Sequence, residues 1–341
     1  MNKSFALFTM VFLGISLTAC GGGGSSNSQT SSPTPTVETP KPQTTPVDTT
    51  KPQTPVIATP SNAYYELVPD IKNCKYGVIN DATRKAIVDE VNNIRRLHGL
   101  ELVVYNKDLE KYVNETALAM AAQNTVSHYI DDKWNCYSDN ALTGAKMSSL
   151  SSHTSPNAQF KVNPVDDIAS FMRENTSESL GHRRWMLSPF IHETAYGMAD
   201  GEKKVGTGYT FGAALFMYDP TTYKNQSTTS PVGIYPYPTG IYPKKYYQKG
   251  DRMSFFVFYD QASYDKNWGV RYTDTVVTVK DDKGVVHPIS DVQISYASSG
   301  VPNNYSFLLP DFEYGVNYTV NVDRVLINGE PKNYQYSFKV E

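Results

Sequence analysis

Ser179-Leu180-Gly181-His182-Arg183-Arg184-Trp185-Met186-Leu187-Ser188-Pro189 is the stretch on which the fold reading turns. Its histidine follows a glycine at the edge of a helical pattern. A second histidine follows a small residue in the same way at Ser127-His128. The two lie 54 positions apart, so only a tertiary fold brings them together. Trp185 and Leu187 have the spacing of core residues rather than ligand contacts. An arginine beside such a pair is expected to form an ion pair with Glu193, or to accept an anionic ligand, and the pairing is the preferred use.

Taken together, these segments resemble the CAP superfamily (cysteine-rich secretory proteins, antigen 5, pathogenesis-related 1) in its bacterial Gly-His-Arg form. Ser127-His128 is similar to the Ser-His after the family's second helix, and Glu193-Thr194-Ala195-Tyr196-Gly197 to its Glu-x-x-aromatic-Gly strand. The resemblance covers roughly residues 75–220. Gly-His-Arg-Arg-Trp is its specific part, and Ser-His alone is weak. It implies helices flanking a small sheet. The expected fold class is therefore α/β, an α-β-α sandwich CAP domain, followed by an all-β immunoglobulin-like sandwich.

Working outward, the helical portion begins where Asp81 can cap a helix that repeats Ile87, Val91 and Ile94 on one face. His98 beside Gly99 reads as its C-terminal cap or dipole partner. A second helix after Asn106 carries Leu109, Val113, Ala117 and Met120, and Asn163-Pro164 opens a third. Short glycine-bearing strands follow over Thr194–Met198 and Val205–Leu215. Beyond residue 230, six strand-like runs are expected: Met253–Tyr259, Thr275–Val279, Val292–Tyr296, Tyr305–Leu309, Tyr318–Val322 and Tyr334–Val340. Alternation of Tyr334, Tyr336, Phe338 and Val340 buries one face of the last, and Asn328-Gly329 marks a hairpin turn. Between the two regions the Ile-Tyr-Pro unit occurs at Ile234 and again at Ile241. Its tyrosines either stack on sugar rings or, as the preferred reading, belong to a strap that packs the domains together.

The N-terminal residues read as targeting rather than fold. Lys3, the apolar run Phe5–Leu17 and Leu17-Thr18-Ala19-Cys20 resemble a bacterial lipobox, in a run shorter than the ~20 residues that span a bilayer. The domain layout is then a signal peptide at 1–19, a Gly/Ser/Thr/Pro tether at 20–62, a CAP domain at 63–225 and a β-sandwich at 226–341. Lipidated Cys20 implies a membrane partner, and Gly21 after it implies an outer-membrane lipoprotein of the cell envelope. The tether would reach ~120 Å if extended. Cys74 and Cys136 remain as an even pair in an exported chain, which favours a disulfide over two buried free thiols. A formal net charge of −3 gives no basic field for nucleic acid.

Familiar catalytic signatures are absent. No Gly-x-Ser-x-Gly elbow occurs, and His192-Glu193-Thr194-Ala195-Tyr196 places tyrosine where a zincin needs its second histidine. The candidate site residues are His128, His182, Glu193 and one of Glu174 or Glu178. The resemblance implies two histidines and two glutamates in a central cleft, a set that suits a divalent metal such as zinc. The usual Gly-Glu-Asn-(Leu/Ile) segment has Met147-Ser148-Ser149-Leu150 as its counterpart here, without a carboxylate. The expected cofactor is therefore none, or a weakly bound metal held by His128, His182, Glu193 and Glu174. A nearby carboxylate is expected to raise both histidine titrations. His153 and His287 are expected to be solvated. The expected role is a non-catalytic binding module for a lipid, glycan, peptide or partner protein. The alternative is a hydrolase using His128, His182 and Glu193.

Overall fold

A computed structural model describes residues 62–159, 162–174 and 179–341. The expected signal peptide, Cys20 and the tether up to residue 61 lie outside the described residues, as does Glu178. Among the described residues no helix is long and apolar enough to cross a membrane.

Five helices build the first half. Asn80, not Asp81, caps α1 (Asp81–Leu97) by accepting from the Thr83 N–H; Asp81 is the first helical residue, where a carboxylate faces the positive end of the dipole. Ile87, Val91 and Ile94 are fully buried, as their spacing requires, and His98 is the C-cap. Asn106 caps a short turn that leads into α2 (Glu110–Gln123). Helix α3 (Asp139–Met147) is capped by Ser138, and α4 (Pro164–Met172) by Asn163 with proline at its first position. The Gly-His-Arg-Arg-Trp motif does not follow a helix at a distance. It is itself a helix, α5 (Gly181–Met186), entered through Leu180 in a left-handed conformation.

These helices enclose a three-stranded antiparallel sheet in the order Ser148–Ser155, Tyr209–Phe216, Tyr196–Glu202. Alternate residues of the central strand serve opposite layers. Phe211, Ala213 and Leu215 face α1 and α4, while Ala214 and Phe216 join Val113 and Met120 of α2. This is the expected α-β-α arrangement. Gly197 is required by close approach, since a Cβ there would lie 2.5 Å from the Val113 carbonyl carbon. Cys74 and Cys136 form a disulfide across 62 residues, with Cα atoms 5.2 Å apart. In the chain-entropy model such a closure stabilises the fold by about 4 kcal/mol.

The second half is a strand-rich region of antiparallel sheets. One sheet runs Ser290–Ser295, Asn304–Leu308, Met253–Phe258, Gly233–Tyr237; the other runs Val286–His287, Val276–Asp281, Tyr318–Ile327, Glu330–Val340, Gly240–Tyr242. Asn328 and Gly329, both at positive φ, turn the long hairpin as expected. The Ile-Tyr-Pro repeat supplies an edge strand to each sheet, with the second strand pairing parallel to the C-terminal strand. Tyr235, Tyr237 and Tyr242 are buried, so they serve packing and not ligand stacking. His287 is not solvated either. Its Nε2 lies 3.4 Å from an Asp281 oxygen and its ring meets Tyr318 edge-on. His153 is exposed, with its ring stacked on Phe211.

One continuous apolar core runs from Ile87 and Val91 through Phe190 and Tyr223 to Phe258 and Val320, uniting both halves. Three buried arginines fix the junction and its approaches. Arg95 donates to the carbonyls of Glu101, Met186 and Ser188. Arg183 donates to the Met172, Glu174 and Arg252 carbonyls, with its guanidinium 3.7 Å from the Tyr237 ring centre. Arg184 donates to the carbonyls of Ser179, Ala297 and Val301. Neither Arg183 nor Arg184 pairs with Glu193. Their forked donors answer backbone carbonyls of both halves, Met172, Glu174 and Ser179 on one side and Arg252, Ala297 and Val301 on the other. Burial lowers the Arg95 and Arg184 titrations to about 10.

Candidate functional site

The site is assembled from α4 upward. Asp167 sits on the buried face of α4 and accepts from Tyr196 Oη at 2.9 Å and Ser151 Oγ at 2.8 Å, locking the helix onto the sheet. Burial raises the titration of this carboxyl, and both hydroxyls oppose that shift. Glu174 follows the helix end and accepts from the His182 backbone N–H at 2.8 Å, so α4 and the first turn of α5 are tied together. Its other oxygen lies 3.8 Å from His182 Nδ1, and Phe171 meets the imidazole edge-on at 4.9 Å.

His182, Glu174 and His128 all line one cleft of about 680 Å³. The exposed His128 ring is oriented by α3, because its Nδ1 lies 2.6 Å from the Ala145 carbonyl oxygen. A carbonyl only accepts, so the proton resides on Nδ1, and Nε2 of the neutral ring is left as an acceptor. His182 does not follow the expected upward shift. Burial lowers its titration, the Glu174 carboxylate opposes that, and His128 lowers it further. Desolvation of the imidazolium therefore outweighs the carboxylate.

Glu193 is not part of this cleft's lining. The two-residue strand Glu193–Thr194 pairs parallel with Val104–Tyr105, which brings the carboxylate to Asn106, whose Nδ2 donates to it at 2.8 Å. Ser148, the second residue of the Gly-Glu-Asn counterpart, does line it. Ser148 is only 5% exposed, and its Oγ is buried without a hydrogen-bond partner among the described residues. A hydroxyl thus occupies the wall at the place where the resemblance implies an anionic ligand. Among the described residues no group of three or more His, Cys, Asp and Glu side chains is arranged to hold a metal ion. With Glu193 held at Asn106 and Ser148 standing where a carboxylate is implied, the described residues do not present the implied zinc set.

Further wall residues escape the sequence reading. Trp185 is half-buried, packed against the core as expected and also part of the cleft wall, stacked on Tyr218 with ring centres 4.1 Å apart and planes 4° from parallel. Tyr129 stands at the mouth with 81% of its surface exposed. Ser298 and Ser299 come from the sandwich, far along the chain. The segment Ala297-Ser298-Ser299-Gly300 signals a tight loop by its composition, and nothing in it names the helix it faces.

The family model of the cysteine-rich secretory protein family, CAP, matches residues 88–213. These residues form a CAP domain. Solved structures similar to the chain include the crystal structure of MpPR-1i, 14% identical, covering 42% of this chain and 93% of that one, with a TM-score of 0.25. No functionally curated protein matches. The CAP domain therefore carries His128, His182, Glu174 and Ser148, and the sandwich beyond it supplies the remaining wall.

Proposed function

We propose that the chain is a non-catalytic binding module whose ligand sits in the cleft between the CAP domain and the sandwich. The observation that carries this reading is the make-up of the wall. It combines a stacked aromatic pair, an exposed tyrosine, an unanswered hydroxyl, two imidazoles and the Glu174 carboxylate, which among the described residues are not arranged to hold a metal ion. Such a mixture of flat apolar faces and a few placed polar atoms is what small-molecule sites use. The test is a ligand screen followed by tryptophan fluorescence, since Trp185 lies in the wall. Loss of a ligand-induced signal in Trp185→Leu supports the reading, and a ligand whose signal is unchanged by Trp185→Leu, His128→Ala and His182→Ala refutes it.

One observation favours hydrolysis as a second reading. The Glu174 carboxylate beside His182 Nδ1 is placed as an orienting partner for a general base. Turnover of ester or peptide substrates that disappears in His182→Ala would establish it in place of binding.

The module is proposed to be anchored to the cell envelope, with an outer-membrane lipoprotein as the specific form. The support is the lipobox-like Leu17-Thr18-Ala19-Cys20 and the polar tether after it. Fractionation of Cys20→Ser tests the anchor, because the lipid would supply about 0.8 kcal/mol per buried methylene.

A further inference from the structure

We infer that the cleft is a composite carbohydrate site, with one wall built by the sandwich loop Ala297–Gly300 and the ligand an oligosaccharide stacked on aromatic faces. The inference rests on the binding reading above and deepens it. Three independent features of the structure support it.

The first is the sandwich wall. Ser298 and Ser299 reach the CAP cleft because the loop carrying them is held at both ends by one side chain. Arg184 Nη2 donates to the Ala297 and Val301 carbonyls, each at 2.6 Å. Between them, Gly300 accepts from the Tyr223 hydroxyl and sits at φ +67° against the Arg184 carbonyl, where a Cβ would come within 2.1 Å. A loop fixed this tightly to the base of α5 presents its two hydroxyls in a set geometry. Its position does not depend on a ligand arriving. Arg184 is therefore a positioning residue for the site as well as a junction residue.

The second is the unanswered hydroxyl. Leaving a buried hydrogen-bonding group unmade costs free energy, and Ser148 Oγ is buried in the cleft wall without a partner among the described residues. Rotation of the serine side chain toward the cleft would bring that oxygen, now closed off from solvent, to a ligand hydroxyl, which both donates and accepts. Such a hydroxyl also answers the free Nε2 of His128 and the hydroxyls of Ser298 and Ser299.

The third is the flat apolar surface. Trp185 and Tyr218 form a stacked pair in the wall, and Tyr129 adds a largely exposed ring at the mouth. Sugar rings combine an apolar face with a rim of hydroxyls, and so match both halves of this wall. A purely hydrocarbon ligand would strand the hydroxyls and imidazoles. A volume near 680 Å³ is within the range of sites for drug-sized ligands, which suits more than one ring.

The experiment uses the mature protein with three neutral trisaccharides (cellotriose, maltotriose and triacetylchitotriose), phospholipid vesicles, and a panel of ester and peptide substrates. Binding is read by isothermal titration calorimetry and Trp185 fluorescence. We expect at least one trisaccharide to bind. Ser148→Ala should weaken it about tenfold, the equivalent of one lost hydrogen bond, without lowering the melting temperature, because its hydroxyl has no protein partner among the described residues. The Ser298→Ala/Ser299→Ala pair should weaken it at least as much. Vesicle binding that depends on the cleft, with no response to any sugar, overturns the carbohydrate class and leaves the binding reading standing. Cleft-dependent turnover with no binding of either probe overturns both. Sugar binding unchanged by the Ser298/Ser299 pair overturns the sandwich wall.

Discussion

His98 gives the protein a specific acid sensitivity. It caps α1, and its side chain is sealed between the two halves, with Nε2 3.0 Å from the Tyr242 hydroxyl of an Ile-Tyr-Pro edge strand. Burial drops its titration to about 3, and the nearby Arg183 and Arg95 charges add to the drop against an opposing backbone hydrogen bond at Pro236. The unfolded chain holds this imidazole near 6.5. Its folded value is depressed, so the unfolded state takes up the proton first. The contribution is complete above the unfolded value and declines as pH falls from about 6.5 towards about 3. Between about pH 7.5 and about pH 5 the linkage amounts to about 2 kcal/mol from this one side chain.

His98→Gln keeps a polar side chain near Tyr242 and removes the titration. Urea unfolding of parent and variant at both pH values isolates the term, because every other titrating group, His182 and Asp167 included, is common to the two proteins. The parent is expected to lose about 2 kcal/mol more than the variant on acidification. Equal pH dependence in the two would refute the assignment of a neutral, sealed imidazole at the junction.

Cys20→Ser is expected to move the protein from membrane to soluble fractions, and retention in the membrane would defeat the lipoprotein proposal. Reduction of Cys74–Cys136 should lower the melting temperature, with a loss of about 4 kcal/mol in unfolding free energy at most; labelling of both thiols in the unreduced native protein would contradict the bridge. His128→Ala breaks one hydrogen bond to Ala145 at an exposed ring and should cost about 1 kcal/mol in a urea melt, with zinc giving no stoichiometric stabilisation of the parent. Arg184→Met leaves the Ala297 and Val301 carbonyls unanswered and should cost about 3 kcal/mol, read as a single lowered transition for both halves. Separate transitions for the CAP domain and the sandwich would argue against the shared core.

Local signals were legible in the sequence where they were self-contained. The α1 periodicity, the Asn163-Pro164 start of α4, the Asn328-Gly329 hairpin and the alternation in the last strand each reflect chemistry within a few residues, and each recurs in the structure. Register decided what was not legible. Glu193 lies in a short strand, and only its pairing with Val104–Tyr105 sends the carboxylate to Asn106. Arg183 and Arg184 sit beside the site in sequence and serve the sandwich in space, because the acceptors they answer are carbonyls, to which every residue contributes equally. No residue pattern advertises them. The same holds for Ser298 and Ser299, whose place in the cleft depends on a loop pinned from 113 residues upstream by Arg184.

The pairing of Gly240–Tyr242 with Glu330–Val340 has a consequence for biosynthesis. The strand at residue 240 finds its neighbour only when the last residues of the chain are present, and the donors of Arg184 wait for carbonyls at 297 and 301. During vectorial emergence the CAP portion is complete in sequence while Arg183 still lacks its Arg252 acceptor and Arg184 its acceptors at Ala297 and Val301. Complete packing of the junction is therefore deferred until the strand Glu330–Val340 has left the ribosome. A product ending before these residues would carry two incompletely answered arginines, Arg183 and Arg184, and an open sheet edge, and would be expected to be more open to proteolysis. The pairing of Glu330–Val340 with Gly240–Tyr242 thus couples the closing of the sandwich edge to the packing of the junction with the CAP domain.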